Sequence, residues 1–374
     1  MIRWRSGVVS ALLREWRGAV ELDVTVDGEL VRALAYPELT GRPEPGDRVL
    51  LNTSALALGL GTGGYALVVA VPDRLPADPS GPGHLVKARY TPLQATVLGA
   101  DEQGSPYHDT LREADDLGGM PVVVADLHSA LPAVLAALFA GRSAGGGAPV
   151  RAVYVMLDGG ALPAWFSRTA AALREAGWLA ATVTVGQAFG GDLEAVTVHT
   201  GLLAARHVLG ADVAVVAQGP GNLGTGTRWG FSGVAAGEAV NAAAVLGGRP
   251  VASLRVSAAD PRERHRGVSH HSLTSYGRVA LARADVVVPD LPGEFGASVA
   301  AQAAPLAARH HLVRVSIDGL EDTLRACPVR LCTMGRGLDE DLAYFLAAAA
   351  AGRHAAEMLR SGLASPGTAS AGSC

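Results

Sequence analysis

From residue 120 onward, short valine-rich runs alternate with alanine-rich segments of helical period. Seven of these runs are typical of buried strands, namely PVVVAD, RAVYVML, LAATVTV, DVAVVAQ, PVASLRV, DVVVP and HLVRVS. Strands that are apolar on both faces and separated by helices indicate a parallel sheet covered on both sides. We therefore predict an α/β domain over residues 120–352, built on a doubly wound, mostly parallel sheet of Rossmann-like three-layer type. A closed β/α barrel is the second choice.

The first part of the chain has a different residue pattern. Short β-rich runs such as GAVELDVTV and DRVLLN are separated by turn signals that include DG, TG and RPEPGD. This spacing predicts a small β-rich, barrel-like domain over residues 1–88, followed by a connecting segment over residues 89–119. Residues 353–374 are expected to hold the end of a helix and a disordered tail of small residues.

Charge and composition limit the partners and the location of the protein. The formal net charge of −4 gives no reason to expect nucleic acid. The most apolar stretches, 131–141 and 343–352, are shorter than the about 18 residues of a membrane span, so no membrane association is expected. Cys327, Cys332 and Cys374 make neither a disulfide framework nor a four-ligand zinc site. With no secretory signal at the start, we expect a cytoplasmic protein, with a homo-oligomer left open.

The segments that follow the predicted strands are the natural place to look for a site, because ligands bind beyond the carboxyl ends of parallel strands. Six such segments are polar or rich in glycine: DLHS, DGGALP, VGQAFGGD, QGPGNLGTGT, SAADPRERHRGVSHHS and PDLPGEFG. If the sheet is parallel, these six segments converge on one cleft.

The stretch QGPGNLGTGTRWGFSG contains the pattern G-x-G-x-x-G directly after a predicted strand. A dinucleotide fingerprint needs a helix that begins inside the motif and an acidic residue about 20 positions later. Further glycines delay any helix here, and the acidic residue is missing, so an anion cradle of main-chain N–H groups and hydroxyls is favoured. The alternative is a connection whose glycines only permit tight turns. The predicted ligand-binding residues are Gly219, Gly221, Gly224, Thr225, Gly226 and Thr227.

The densest polar cluster of the chain is SAADPRERHRGVSHHS, residues 257–272. Guanidinium groups bind phosphate or carboxylate through paired hydrogen bonds, so Arg262 and Arg266 are predicted to hold an anion, together with Ser272. The alternative is a solvated basic loop, which arginine runs commonly form.

Three histidines in the same cluster, His265, His270 and His271, are candidates for acid–base groups or metal ligands together with Asp260. His270 and His271 are adjacent, and neighbours in an extended segment point to opposite sides. We therefore expect one of the two, rather than both, to face the cleft.

Two further strand ends carry candidate catalytic residues. His128 follows the strand PVVVAD and is a base, a metal ligand or a group that bonds the loop, while Ser129 is placed to cap the following helix. Asp158 ends a strand, where it either coordinates a cation, orients a histidine or binds N–H groups of its own turn. The candidates for a divalent metal are Asp158, Asp260, His265 and His270.

Several blocks of the chain, taken together, resemble a bacterial family of unknown function, DUF3866. The blocks are KARYTPLQ, DLHSALP, LDGGALP, TVGQAFGGDLEAV, QGPGNLGTGTRWGFSG, GEAVNAA and ADPRERHRGVSHHS. The resemblance extends from PGDRVLLNTSALALGLGTGG to about residue 350 and implies a single cytoplasmic bacterial protein. It assigns neither catalytic residues nor a substrate.

These observations favour an enzyme or enzyme-like protein that acts on a small anionic ligand, phosphorylated or not. Metal-assisted hydrolysis is the most economical reaction, because histidines and aspartates are present while the known nucleophile motifs are not. A non-catalytic ligand sensor or assembly protein, with the first domain as the partner-binding module, is the second hypothesis. An NAD-dependent oxidoreductase is the third hypothesis. It is disfavoured because the glycine motif lacks the helix start and the acidic residue of a dinucleotide fingerprint.

Overall fold

The N-terminal strands close into a five-stranded barrel, as predicted. The strands are β1 (Trp4–Trp16), β2 (Ala19–Val26), β3 (Glu29–Ala35), β4 (Arg48–Asn52) and β5 (Ala66–Ala70), with short helices α1 (Pro37–Thr40) and α2 (Ser54–Ala57). Around the barrel the order is β1-β2-β3-β5-β4. The β2–β3 hairpin turns at Asp27 and Gly28, which both have positive φ, as a tight two-residue hairpin turn requires. Alternate residues of β2, including Leu22 and Val24, fill the barrel interior.

The computed structural model describes residues 1–60, 63–143 and 150–363. The predicted disorder of the C-terminal tail falls on residues 364–374 and lies outside these ranges. Across the described ranges, no helix is both long and apolar enough to cross a bilayer.

Between the barrel and the large sheet, the chain forms a small hairpin and one short helix. These are β6 (Leu85–Lys87), β7 (Ala95–Val97) and α3 (His108–Arg112). A bridge from Gly99 to Glu194 joins this connecting segment to the edge of the large sheet. The exact domain boundaries, at residues 88 and 119, stay predictions.

The large sheet has eight strands, and every neighbouring pair in it is parallel. The remaining strands of the chain are β8 (Pro121–Val124), β9 (Ala152–Leu157), β10 (Ala181–Thr184), β11 (Leu193–Glu194), β12 (Val213–Gln218), β13 (Arg249–Ser253), β14 (Val256–Ser257), β15 (Gly267–Val268), β16 (Asp285–Pro289), β17 (His311–Val315), β18 (Cys332–Thr333) and β19 (Arg336–Gly337). The order β11-β10-β9-β12-β8-β13-β16-β17 leaves the sheet open at β11 and β17. The β/α-barrel alternative is therefore wrong. β14–β15 and β18–β19 form separate antiparallel ribbons.

The helices of this part of the chain are α4 (Leu131–Ser143), α5 (Arg168–Glu175), α6 (Val198–Leu203), α7 (Ala235–Val245), α8 (His270–Thr274), α9 (Gly293–Ala303), α10 (Leu320–Arg325) and α11 (Leu342–Leu363). Two sets of them are in mutual contact. α4, α10 and α11 contact one another, whereas α6 contacts α7. α11 approaches α4 closely because Gly352 has no side chain; a Cβ there would lie 2.0 Å from the carbonyl oxygen of Val134. Alanine-rich helices permit this spacing.

β8 lies at the centre of the sheet, where the direction of the chain changes. From β8 the chain runs outward through β9 and β10 to β11, returns to β12, and then continues through β13 and β16 to β17. β8 is therefore flanked by β12 and β13. Gln218, Asp126 and Arg255, which end or follow these three strands, are brought to one edge of the sheet.

An aromatic contact joins the barrel to the α/β domain. The indole Nε1 of Trp16 donates to the main-chain oxygen of Trp165 at 2.6 Å. Trp165 also packs against Tyr36 of the barrel and edge-on against Phe189, with ring centroids 6.0 Å and 5.6 Å away. Gly18 makes this contact possible, since a Cβ at that position would lie 2.2 Å from Trp165.

Candidate functional site

Three histidine side chains lie together beyond the carboxyl ends of the central strands. His265 ends a 3₁₀ turn (Glu263–His265), and His270 and His271 begin α8. Their ligand atoms all lie within 4.8 Å of one another, and this is the only such group of three or more metal-binding side chains in the described residues. The prediction that only one of the adjacent histidines would face the cleft is wrong. The segment is helical, where neighbours are about 100° apart rather than opposite.

Two of the three rings are held in place by neighbours. Ser269 caps α8, because its Oγ accepts a hydrogen bond from the main-chain N–H of His271 at 3.2 Å. The same Oγ lies 2.8 Å from Nδ1 of His265. The ring of Phe231 stacks on that of His271, with centroids 3.8 Å apart and planes 2° from parallel. These rings are therefore oriented by the protein itself.

A carboxylate and a guanidinium group approach the cluster from neighbouring strand ends. Nδ1 of His271 lies 3.8 Å from Oδ2 of Asp126 and 3.4 Å from Nη1 of Arg255. Asp126 Oδ2 and His270 Nε2 are both buried, and neither has a hydrogen-bond partner within the described part of the chain. Buried polar atoms are normally paired, so two unpaired atoms beside one cluster indicate a place for a ligand.

The surroundings keep all three imidazoles neutral. Burial, reinforced by the charge of Arg255, lowers the pKa of His265 to about 3 and that of His271 to about 2. Burial and the charge of Arg264 lower the pKa of His270. Burial raises the pKa of the Asp126 carboxyl group. Neutral imidazole is the form that binds metal ions, so these histidines are in the binding form at neutral pH.

Asp260 is the centre of an ion-pair network beside the cluster and does not belong to the group of potential ligands. Its carboxylate lies 2.8 Å from Nη2 of Arg262, 3.6 Å from Nη2 of Arg255 and 3.4 Å from Nη2 of Arg336. Burial opposes its ionisation, but the hydrogen bonds from Arg262 outweigh this and lower the pKa of Asp260. Asp260 and Arg262 thus pair with each other, and Asp260 is not in the group of potential ligands. The predicted anion contact of Arg262 stays a prediction.

A family model described as "Protein of unknown function (DUF3866)" matches residues 32–352. The chain belongs to the DUF3866 family. A search of curated proteins found no match. The matched region includes the end of β3, β4 and β5 of the barrel, the whole large sheet and the three histidines, whereas β1 and β2 precede it. The function has to be argued from the site.

The other predicted residues of the polar cluster, Ser272 and Arg266, lie in different environments in this DUF3866 protein. Ser272 is fully buried, and its Oγ accepts a hydrogen bond from the main-chain N–H of Arg255 at 2.9 Å, which makes it a structural residue. Arg266 is exposed and forms no ion pair with the described residues. Arg264, the third arginine of this cluster, lies beside the glycine loop, with Nη2 3.7 Å from the position of a Cβ on Gly226.

The glycine loop of the DUF3866 chain folds back on itself as a small exposed hairpin. Gly224 bridges to Phe231, and the hydroxyls of Thr225 and Thr227 bond each other and the main chain of Gly230. The threonines therefore stabilise the hairpin and are not directed at a shared anion, which favours the tight-turn alternative. Gly226 has a φ of 80°. The first helical residue after the motif is Ser232, in line with the case against a dinucleotide fingerprint.

Local packing and main-chain conformation explain why the first two residues of the motif are glycines. A Cβ on Gly219 would lie 2.4 Å from the carbonyl oxygen of Ala161, and Gly221 adopts a φ of 88°. Both residues line a pocket at the ends of β8 and β12.

His128 lies apart from the three histidines, in a chain of buried hydrogen bonds. Its Nε2 lies 2.7 Å from Oγ of Ser167, and its Nδ1 lies 3.0 Å from the hydroxyl of Tyr154, which donates to the main-chain oxygen of Gln218. Burial lowers the pKa of His128 to about 4. Ser129 does not cap the helix, since its Oγ bonds the hydroxyls of Thr333 and Tyr344.

Asp158 also lies away from the histidine cluster and is not in the group of potential metal ligands. Its Oδ2 accepts a hydrogen bond at 2.8 Å from the main-chain N–H of Gln187, in the segment after β10. This carboxylate thus joins two strand ends. It lines an open groove with Arg89 and Asp101 of the connecting segment.

Lys87 is a buried residue that sequence reasoning missed. Its Nζ donates to the main-chain oxygens of Gly186, Ala188 and Ala195 at 2.8–3.1 Å and lies 3.4 Å from Oε2 of Glu194. Burial lowers the pKa of Lys87 and raises that of Glu194. The contacts fasten the connecting segment to the sheet. The sequence carries no signal for it, because the partners are main-chain atoms about 100 residues away.

Proposed function

We propose that this protein binds a divalent transition metal, with Zn²⁺ as the first choice, at His265, His270 and His271. We further propose that the metal serves to hydrolyse a small anionic substrate. The proposal rests on the buried Nε2 of His270, which has no hydrogen-bond partner among the described residues and lies in a cluster whose ligand atoms are within 4.8 Å of one another.

The chemistry of the donor set fits this assignment. Neutral imidazole suits Zn²⁺, and a centre with three protein ligands retains a position for water or substrate, which is typical of catalytic rather than structural zinc. A bound Zn²⁺ would polarise a substrate oxygen and activate water near neutral pH. The chain's own residues supply the orientation of the imidazoles.

Asp126 has the role of a positioning residue in this account. A histidine that ligates a metal usually donates its other ring N–H to a carboxylate or carbonyl, which fixes the tautomer. Nδ1 of His271 lies 3.8 Å from Oδ2 of Asp126, which lacks a partner in the described residues, and 3.4 Å from Nη1 of Arg255, which can only donate. In the metal-bound form that we propose, Nδ1 carries the proton and donates it to Asp126, and the contact with Arg255 is given up. Nε2 of His271 is then the ligand atom.

The charges around the cluster support an anionic substrate. Arg255 and Arg262 lie close to Asp260, and Asp126 adds a buried carboxyl group, so these four residues largely offset one another. Arg264 is exposed and forms no ion pair with the described residues. Its charge is therefore free to attract an anion to the mouth of the site. The histidine cluster lies near the end of β8, where the direction of the chain changes. In a doubly wound sheet such a point is the usual ligand site, which supports this location.

A hydrolysis assay tests this function. Chelator-treated protein would be reconstituted with Zn²⁺ or Mn²⁺ and given p-nitrophenyl phosphate and bis-p-nitrophenyl phosphate, which are both anionic. We expect turnover that requires the metal and is lost in His270→Ala, but retained in His84→Ala, whose side chain is 90% exposed. Activity that survives both chelation and His270→Ala would rule the function out. Metal binding without turnover of any of these substrates would favour the non-catalytic sensor instead.

A further inference from the structure

A second pocket lies at the carboxyl ends of β8 and β12 and has a volume of about 230 Å³. Its walls include Leu127, Ser129, Gln218, Arg330 and Met334. None of the three clustered histidines lines it. The pocket is therefore a separate cavity from the proposed metal centre, although Gln218 contacts Asp126, the neighbour of that centre.

Gln218 gives the first indication of what the pocket binds. The side chain is buried, and its Nε2 donates to the main-chain oxygen of Asp126 at 2.8 Å and to Oδ1 of Asn222 at 2.9 Å. These two acceptors fix the orientation of the amide. Its Oε1 is buried and has no hydrogen-bond partner in the part of the chain described. An unpaired buried acceptor costs about 1–3 kcal/mol, so it indicates a ligand that carries an O–H or N–H donor.

The charge of the pocket gives the second indication. Among the described residues that line it, Arg330 is the one charged residue apart from the neutral His128, and none is an aspartate or glutamate. Arg330 is exposed and makes no ion pair or hydrogen bond with the described residues. The 3₁₀ turn His128–Ala130 leads directly into α4 at the same wall. The N–H groups of Ala130 and Leu131 are bonded within this turn and Pro132 has none, so the anion contact falls to Arg330.

We propose that this pocket binds a small organic anion, a carboxylate or a phosphate ester, that also carries a hydroxyl or amino group. Arg330 holds the anion, and Oε1 of Gln218 accepts the hydrogen bond from the hydroxyl or amine. The volume is below the roughly 300–1,000 Å³ of pockets for drug-sized ligands, which restricts the ligand to a few carbon atoms. The proposal does not depend on the metal centre.

Calorimetry with matched probes tests the assignment. D-glycerate and glycerol 3-phosphate carry both the anion and a hydroxyl, whereas propionate lacks the hydroxyl and glycerol lacks the charge. We expect at least one of the first two to bind, and propionate and glycerol to bind more weakly than that probe. Binding of neither D-glycerate nor glycerol 3-phosphate, or equal binding of all four compounds, would overturn the proposal.

Variants locate the binding. Arg330→Gln is expected to weaken the affinity by about tenfold or more, the usual cost of losing a charged hydrogen bond. Arg249→Gln, at an exposed arginine that begins β13 at the opposite edge of the sheet, should bind as the wild type does. Cys332 is exposed and lines the pocket, so a bound probe should slow its alkylation, measured by peptide mass spectrometry. Unchanged affinity in Arg330→Gln would contradict the assignment.

The His270→Ala variant separates this pocket from the metal centre. Because none of the clustered histidines lines the pocket, we expect the probes to bind this variant with wild-type affinity. Loss of probe binding in His270→Ala would show that the anion occupies the histidine cluster instead, and the pocket proposal would be wrong.

Discussion

Nδ1 of His271 lies 3.8 Å from Oδ2 of Asp126, although the two residues are 145 positions apart in the sequence. Asp126 follows β8 and His271 begins α8, after β13. The parallel pairing of β8 with β13 places both at one edge of the sheet. The contact therefore exists because of the strand order, and it joins a buried carboxyl group to the candidate metal centre.

Replacing Asp126 tests its positioning role. Asp126→Asn keeps the size of the side chain but removes the carboxylate that would accept from Nδ1 of His271. We expect Zn²⁺ affinity to fall by about 10–100-fold, as is usual for such partners of metal-binding histidines. Asp290→Asn, at an exposed aspartate that follows β16, should retain the wild-type affinity in the same titration. Equal affinities in the two variants would argue against the role.

Buried His128 should make the free energy of unfolding depend on pH. Burial lowers its pKa from 6.5 to about 4, so the unfolded chain takes up a proton between these values while the folded protein does not. The free energy of unfolding should thus fall as the pH falls through this window, with a contribution of about 1.4 kcal/mol per pH unit from this residue. His128→Gln should remove that contribution, as measured by urea unfolding at pH 7, 6 and 5.

Thr197→Ala is the control for this measurement. It removes the helix cap at α6, does not touch His128 and should cost about 0.5–2 kcal/mol at every pH. His128 stays buried in it, so the slope should match that of the wild type. Identical slopes for His128→Gln and the wild type would contradict the prediction.

How far the sequence predicted this architecture depends on the range of the interactions. The barrel and the parallel sheet follow from the residue patterns of the strands and from the turn residues, which are local signals. The strand order does not, because the insertion of β12 between β8 and β9 depends on packing of elements far apart in the chain. The sequence therefore predicted an edge lined with polar loops but not which loops are adjacent.

The site shows the same division. His265, His270 and His271 were found because they are close in sequence, and the structure places them together. Asp158 was expected to join them and does not, since its carboxylate bonds the loop after β10. Phe231, which stacks on His271, comes from a different connection and gave no signal in the sequence.

The buried ion pair of Lys87 with Glu194 should stabilise the attachment of the connecting segment. Lys87→Met leaves the Glu194 carboxyl group and three carbonyls without their partner, which should cost about 3–5 kcal/mol in the free energy of unfolding. Adding Glu194→Gln should recover part of this loss. A double-mutant cycle by chemical denaturation measures the coupling. Strictly additive effects would show that the two side chains do not interact.

Gly18 should be required by the contact between barrel and sheet. Gly18→Ala combines a positive φ of 77° with a Cβ 2.2 Å from Trp165. Gly28→Ala provides the control, because it has a similar φ of 85° but open space around the Cβ. Thermal unfolding should show a clearly larger fall in Tm for Gly18→Ala than for Gly28→Ala. The difference between the two measures the steric part of the destabilisation. Equal losses would mean that Trp165 moves aside without cost.

Titration of Zn²⁺ into chelator-treated protein tests the central claim most directly. Isothermal calorimetry on the wild type, His270→Ala and His84→Ala would measure stoichiometry and affinity for each. The account predicts one site per chain in the wild type and in His84→Ala, and loss of that site in His270→Ala, with all three proteins folded by circular dichroism. Absence of binding in the wild type, or equal binding in His270→Ala, would contradict the assignment of the three histidines as a metal centre.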